Sequence, residues 1–134
     1  MLIRILGSAA GGGVPQWNCG CLVCTAARTG SRPVSSRYSS AIAVGDGGGD
    51  WFLGNSGPDV DIAMREWASL WPGPDDSTAP INGVFLTDAE LDHTLGLLAL
   101  RQAAEINIYG TAAVRILLSR CGLLPTLESY TVVH

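Results

Sequence analysis

Short apolar runs, broken by clusters of glycine, proline and aspartate, organise the 134-residue chain. Leu2-Ile3-Arg4-Ile5-Leu6 reads as a first strand. Residues 39–44 and 51–53 read as two more, joined by a hairpin turn at Asp46-Gly47-Gly48-Gly49-Asp50. Between them, Pro15 to Pro33 shows no periodicity and reads as irregular. Asp59 is placed to cap a helix over 60–70, in which Ile62, Met64, Trp67 and Leu70 are apolar. Residues 71–80, rich in proline, aspartate and serine, read as a surface loop. Ile81 to Leu86 is almost continuously apolar, as expected of a strand buried on both faces. The pattern then predicts a helix over 95–104, a strand over 106–109, and a helix that starts at the N-cap Thr111 and ends near Cys121-Gly122. Thr131-Val132-Val133 reads as a last strand. The later half alternates strand and helix, which predicts an α/β fold with right-handed crossovers and a mostly parallel sheet.

Composition narrows this picture. Hydrophobic residues make up 47% and charged residues 15%, which excludes a disordered chain and suits one domain. The mean hydropathy is positive. Either a deeply buried sheet or a fragment whose apolar face meets a missing half accounts for that. The net charge is −4 and the eight basic residues are all arginine, so no nucleic-acid footprint is expected. Without lysine, neither Schiff-base chemistry nor a P-loop is available. No apolar run approaches the roughly 20 residues of a membrane span. The opening apolar run, broken by Arg4, is too short for the core of a signal peptide. A cytoplasmic chain is expected, in which clustered thiols bind metal rather than form disulfides.

Two clusters carry candidate chemistry. Cys19, Cys21 and Cys24 form a C-x-C-x-x-C, three thiols able to wrap one tetrahedral, structural zinc. Cys121, His134 or a residue outside the chain would supply a fourth ligand; free thiols and an iron–sulfur cluster are the alternatives. The second cluster is Asp88, Glu90, Asp92 and His93, between the apolar run 81–86 and a second run at 95–100. In α/β folds the end of a strand is where ligands collect. Carboxylates with one imidazole favour iron or manganese over an all-histidine zinc site. The competing reading is a capping box, Thr87-x-x-Glu90, which needs no metal. The run Gly7 to Gly13 is either a phosphate cradle without its Gly-Lys-Ser/Thr ending or a close backbone approach. No G-x-S-x-G elbow occurs, and two histidines leave little room for a nucleophilic triad. Trp17, Trp51, Trp67 and Trp71 read as packing residues.

Gly7 to Cys24, Ala27-Arg28, residues 39–44 and Leu86 to Arg101 together resemble the pyrroloquinoline quinone (PQQ) biosynthesis protein B family of the metallo-β-lactamase superfamily. Residues 88–93 keep the spacing of that superfamily's His-x-His-x-Asp-His signature, with carboxylates at both leading histidines. The resemblance implies an αββα sandwich. The chain would then be its N-terminal half, a partial domain over 1–134 with one sheet and its helices. It also implies PQQ biosynthesis by metal-dependent oxygenation of a small, tyrosine-derived PQQ precursor, with iron at Asp92 and His93, and with Asp88 and Glu90 as ligands or bases behind them. A non-enzymatic carrier, assisting transport of PQQ or its precursor to the periplasm, is the alternative. A hydrolase of the ordinary superfamily type is disfavoured by the missing histidines. A half-sandwich would expose an apolar sheet face, so a homodimer or a complementing C-terminal half is the expected partner. One departure concerns residues 55–61. The family reads Asn-Ala-Ser-Pro-Asp, then Ile/Leu-Arg. Here the run is Asn55-Ser56-Gly57-Pro58-Asp59-Val60-Asp61, with an acid in place of the arginine.

Overall fold

The alternation of apolar side chains becomes the two faces of one sheet in the computed structural model, which describes all residues except Arg32, Gly48 and 75–79. Strand β1 (Leu2–Gly7) precedes helix α1 (Leu22–Thr29), and β2 (Ala41–Gly45) and β3 (Trp51–Gly54) form the expected hairpin. Helix α2 (Val60–Arg65), strand β4 (Ile81–Phe85) and helix α3 (Leu91–Thr94) follow. Then come β5 (Glu105–Ile106), β6 (Ile108–Tyr109), α4 (Ala112–Arg120), α5 (Leu123–Glu128) and β7 (Val132–Val133). The main sheet runs β1-β2-β3-β4-β6, and β5 and β7 form a separate parallel pair. Both β1 and β3 are antiparallel to β2, while β3, β4 and β6 are parallel. The carboxyl ends of β1, β3, β4 and β6 therefore share one edge.

On the inner face Ala43, Leu53 and Val84 stand side by side and are fully buried. Leu97, Leu118 and Leu127 complete this core from the helical layer. On the outer face the register aligns Ile5, Ile42, Gly54, Phe85 and Tyr109 in one row. Phe85 stacks on Tyr109 with ring centroids 4.6 Å apart. Ile5 is 66%, Phe85 49% and Tyr109 43% exposed. The strand at 81–86 is thus covered on one face only, and the sheet carries an apolar row open to water. No helix among the described residues is long and apolar enough to cross a membrane.

Several local expectations are corrected. The stretch read as irregular holds α1, whose N-cap is Cys21: its sulfur accepts from the Cys24 amide at 3.5 Å. The helix expected over 60–70 stops at Arg65, and a 3-10 turn over Ala68–Leu70 follows. Asp59 does not cap it with its side chain; Oδ2 accepts from the Ser39 amide instead, at 2.9 Å. The helix expected over 95–104 is a 3-10 helix over Leu95–Leu100, preceded by α3. The strand expected over 106–109 is split at Asn107, with β5 joining β7 and β6 joining β4. Helix α5 had no counterpart in the sequence pattern. Thr111 does cap α4, its hydroxyl accepting from the Val114 amide, and Gly122 follows in the left-handed region at φ +85°. Trp51 is buried with Trp67 edge-on at 4.6 Å, whereas Trp17 and Trp71 are exposed. The core of the 71–80 loop lies outside the described residues.

Gly96 marks a tight backbone approach near the strand edge. A Cβ there would lie 2.0 Å from the Gly57 carbonyl oxygen. Gly96→Ala is expected to destabilise the fold by about 3 kcal/mol or more, as an overpacked backbone contact. Gly20→Ala, whose Cβ would meet nothing within 4 Å, is expected to stay within about 0.5 kcal/mol of the parent. Urea unfolding of the two variants checks the contrast.

Candidate functional site

The thiol cluster is built by the first turn of α1 and the loop before it. The Cys24 sulfur accepts from the Gln16 amide at 3.4 Å. Arg28 spans the loop, donating to the Cys19 carbonyl at 2.6 Å and to the Gln16 carbonyl. The three sulfurs of Cys19, Cys21 and Cys24 lie within 4.8 Å of one another. A tetrahedral zinc needs sulfurs about 3.8 Å apart, from Zn–S bonds of about 2.3 Å. A small closure would therefore complete the set, and thiolates are the donors zinc prefers. The Cys24 and Cys19 groups draw the Cys21 thiol down to about 7, the Cys24 amide contributing most. The Gln16 amide lowers the Cys24 thiol, but burial and the neighbouring Cys19 and Cys21 leave it raised. Among the described residues no fourth ligand joins these three. Cys121 donates to the Leu118 carbonyl at 3.4 Å, and His134 Nε2 lies 3.4 Å from Glu105.

The acidic motif sits at the shared carboxyl edge, where the loops after β1, β3 and β4 meet. Asn55, buried and held at φ +64°, begins the β3 loop. Its side-chain oxygen accepts from the Thr87 amide at 3.0 Å and lies 3.1 Å from the Thr87 hydroxyl. The Ser56 amide donates to the His93 carbonyl at 2.7 Å, and the Gly96 amide to the Ser56 carbonyl at 2.8 Å. Asp88 Oδ1 accepts from the Glu90 amide at 2.9 Å, and Oδ2 accepts from the Thr87 hydroxyl at 2.8 Å. The Glu90 amide, with the Thr87 hydroxyl and then His93, holds the Asp88 carboxyl below the usual range. His93 Nδ1 lies 2.8 Å from both Asp88 oxygens, and Nε2 lies 3.9 Å from Asp92 Oδ2. The glycine loop passes over Asp92 so closely that a Cβ on Gly11 would be 3.2 Å from its carboxyl carbon. Close approach, not a cradle, explains that glycine.

Of the four motif residues, Asp88, Asp92 and His93 come together, and Glu90 is exposed. The capping box does not form: Glu90 is itself the N-cap residue of α3 and makes no side-chain cap. Among the described residues only the cysteines bring three ligand atoms within 4.8 Å of one another. The motif offers close pairs. Asn55 was absent from the sequence-based candidates, and Gly11 bears out the close-approach reading of its run. Position 55 does carry a signal, since asparagine followed by Ser-Gly-Pro tolerates a left-handed turn. The Ser39 and Ser56 hydroxyls, also overlooked, are buried without a hydrogen-bond partner.

These features define a class. The sequence profile of the beta-lactamase superfamily domain matches residues 50–132, and the chain belongs to that superfamily. Its fold is the metallo-β-lactamase fold, of which this chain supplies one sheet and its helices. The crystal structure of Zn(2+)-bound PqqB from Methylobacterium extorquens superimposes with a TM-score of 0.89 at 35% identity, covering 98% of this chain and 44% of that one. Coenzyme PQQ synthesis protein B of Pseudomonas fluorescens (strain Pf0-1) is 41% identical over 114 residues, 85% of this chain and 38% of that protein. The same protein from Methylobacterium radiotolerans is 43% identical over 114 residues. The chain thus spans about two fifths of the length of the curated relatives it matches. A diphosphatase of the PhnP family, with a TM-score of 0.71 at 22% identity, shares the fold.

The metal-free chain should reveal the order of thiol reactivity. Cys21 is exposed and ionises near 7, whereas Cys24 is buried and raised. Iodoacetamide is expected to alkylate Cys21 first, at a rate that climbs as pH rises through about 7. Zinc should protect both. Peptide mapping of timed samples reads the order.

Proposed function

We propose that the chain serves PQQ biosynthesis as the metal-bearing amino-terminal part of a protein that oxygenates a small, tyrosine-derived precursor in the cytoplasm. The observation that most supports this reading is the 41% identity to Coenzyme PQQ synthesis protein B across 85% of this chain. Asp92 and His93 would hold the active metal, an iron. Their facing oxygen and nitrogen form a donor set that suits such a cation. When bound, that metal would supply oxygen activation. The chain's own side chains would hold the cation at the strand edge, where the glycine loop passes close to Asp92. Cys19, Cys21 and Cys24 hold a structural zinc that staples the first loop. Further ligands come from a complementing carboxyl-terminal half that packs on the Ile5–Phe85–Tyr109 row.

Metal analysis with oxygen uptake tests this reading. The chain is assayed alone and with the carboxyl-terminal half of a PQQ synthesis protein B relative supplied in trans. Cys21→Ser should lose zinc. His93→Ala should keep zinc, lose iron and cut oxygen uptake with the precursor by more than about 100-fold. Unchanged iron and uptake in His93→Ala would refute the oxygenase reading. The carrier reading rests on one observation, that the cysteines alone converge as a set of three among the described residues. A protein holding zinc alone, yet binding the quinone, would establish it.

The partner is tested separately. Phe85→Asp puts a charge in the middle of the exposed row and should abolish association with the complementing half while leaving the chain's circular dichroism unchanged. Sedimentation velocity of the mixture reads the outcome.

A further inference from the structure

The sequence offers Asp88 as a ligand or a base, but its surroundings assign it a different task. We propose that Asp88 is a positioning residue that keeps the His93 proton on Nδ1, so that Nε2 presents its lone pair toward Asp92. The proposal rests on the reading of Asp92 and His93 as the ligand pair, and it removes Asp88 and Glu90 from that ligand set.

Both Asp88 oxygens lie 2.8 Å from His93 Nδ1. An ionised carboxylate can only accept, so Nδ1 must donate. The carboxylate is already committed elsewhere. Oδ1 takes the Glu90 amide at 2.9 Å, and Oδ2 takes the Thr87 hydroxyl at 2.8 Å. Turning Asp88 toward a cation would break three hydrogen bonds at once. The ring it orients is anchored through the main chain on both sides. The His93 amide donates to the Glu90 carbonyl at 3.0 Å, and the His93 carbonyl accepts from Ser56 at 2.7 Å.

With Nδ1 carrying the proton, a neutral ring leaves Nε2 as an acceptor. It lies 3.9 Å from Asp92 Oδ2, too far for a hydrogen bond; two donors about 2.1 Å from one cation sit about 3.0–3.4 Å apart, so a small closure would let the pair share it. The glycine loop passes close to Asp92, leaving little room for a side chain at Gly11. Glu90 acts through its backbone: its amide goes to Asp88, and its carbonyl accepts from His93 and from the Thr94 hydroxyl at 2.8 Å. A carboxylate behind a ligating histidine fixes the tautomer and ring angle and raises basicity at the far nitrogen.

The chain has two histidines, so a ¹⁵N-histidine spectrum is simple to assign with a His134→Gln variant. The spectrum is recorded without metal at mildly alkaline pH, where imidazole is neutral. His93 is expected as the Nδ1–H tautomer with a bare Nε2. Asp88→Ala should release it to a mixture, and Asp88→Asn, which keeps an acceptor oxygen, should restore part of the Nδ1–H signal. Cobalt(II) then serves as the metal probe. Asp88→Ala should weaken binding at the non-cysteine site by about 10–100-fold without abolishing it, whereas Asp92→Ala should abolish it. A wild-type Nε2–H tautomer overturns the proposal, whether or not any variant folds. So does an unchanged tautomer in a folded Asp88→Ala. If wild type shows Nδ1–H but no cobalt binds beyond the cysteines, the positioning role stands and the ligand-pair reading falls.

Discussion

Two main-chain hydrogen bonds carry the candidate site. The Ser56 amide reaches the His93 carbonyl, and the Gly96 amide reaches the Ser56 carbonyl. They stitch the loop after β3 to the short helix that follows β4. Gly57 and Gly96 permit it, because a Cβ on either would strike the opposing backbone. Asn55 adds a side-chain link to Thr87, one residue before the acidic motif. The carboxylates and imidazole of residues 88–93 are therefore aimed by a backbone seam, not by the motif's own helix. That helix is a single turn and could not aim them alone.

The two clusters of donors differ in how they are made. The cysteines come from six consecutive residues, and one helix start with one arginine brace brings them together. Three thiols at that spacing form a soft donor set that could hold a metal ion with little help from the rest of the fold. The acidic motif needs three loops from three strands, and even then it brings donors together in pairs. The apolar row on the outer sheet face lies open. Its side chains already interlock, Ile42 and Tyr109 filling the space over Gly54 and Gly83, yet Ile5, Phe85 and Tyr109 stay exposed among the described residues.

Much of this was legible in the sequence where one signal acts alone. The apolar runs marked β1 to β4, the cap at Thr111 and the stop at Gly122 followed local rules, and the cysteine spacing marked its own cluster. What escaped depended on contacts distant in sequence. Helix α1 starts at a cysteine, which is not a capping residue by habit, so the stretch around it read as irregular. The helix beyond His93 tightened to 3-10 geometry where Gly96 is pressed against the β3 loop. The strand near Asn107 divided because its two ends find different neighbours, β7 and β4. Alternation alone could not say that β4 has a dry face and a wet one. The motif's membership was visible, but the division of labour between Asp88 and Asp92 appears only when His93 is seen between them.

If the seam is what aims the motif, the Ser56 and Gly96 amides belong to the most protected set in the chain. Native-state hydrogen exchange of these two amides, followed by NMR in low urea, is the most direct test. The account predicts that both exchange only through global unfolding, at the rate set by core amides such as those of Leu53 and Val84. Exchange of either amide at the rate of an exposed loop, with the core still protected, would contradict it.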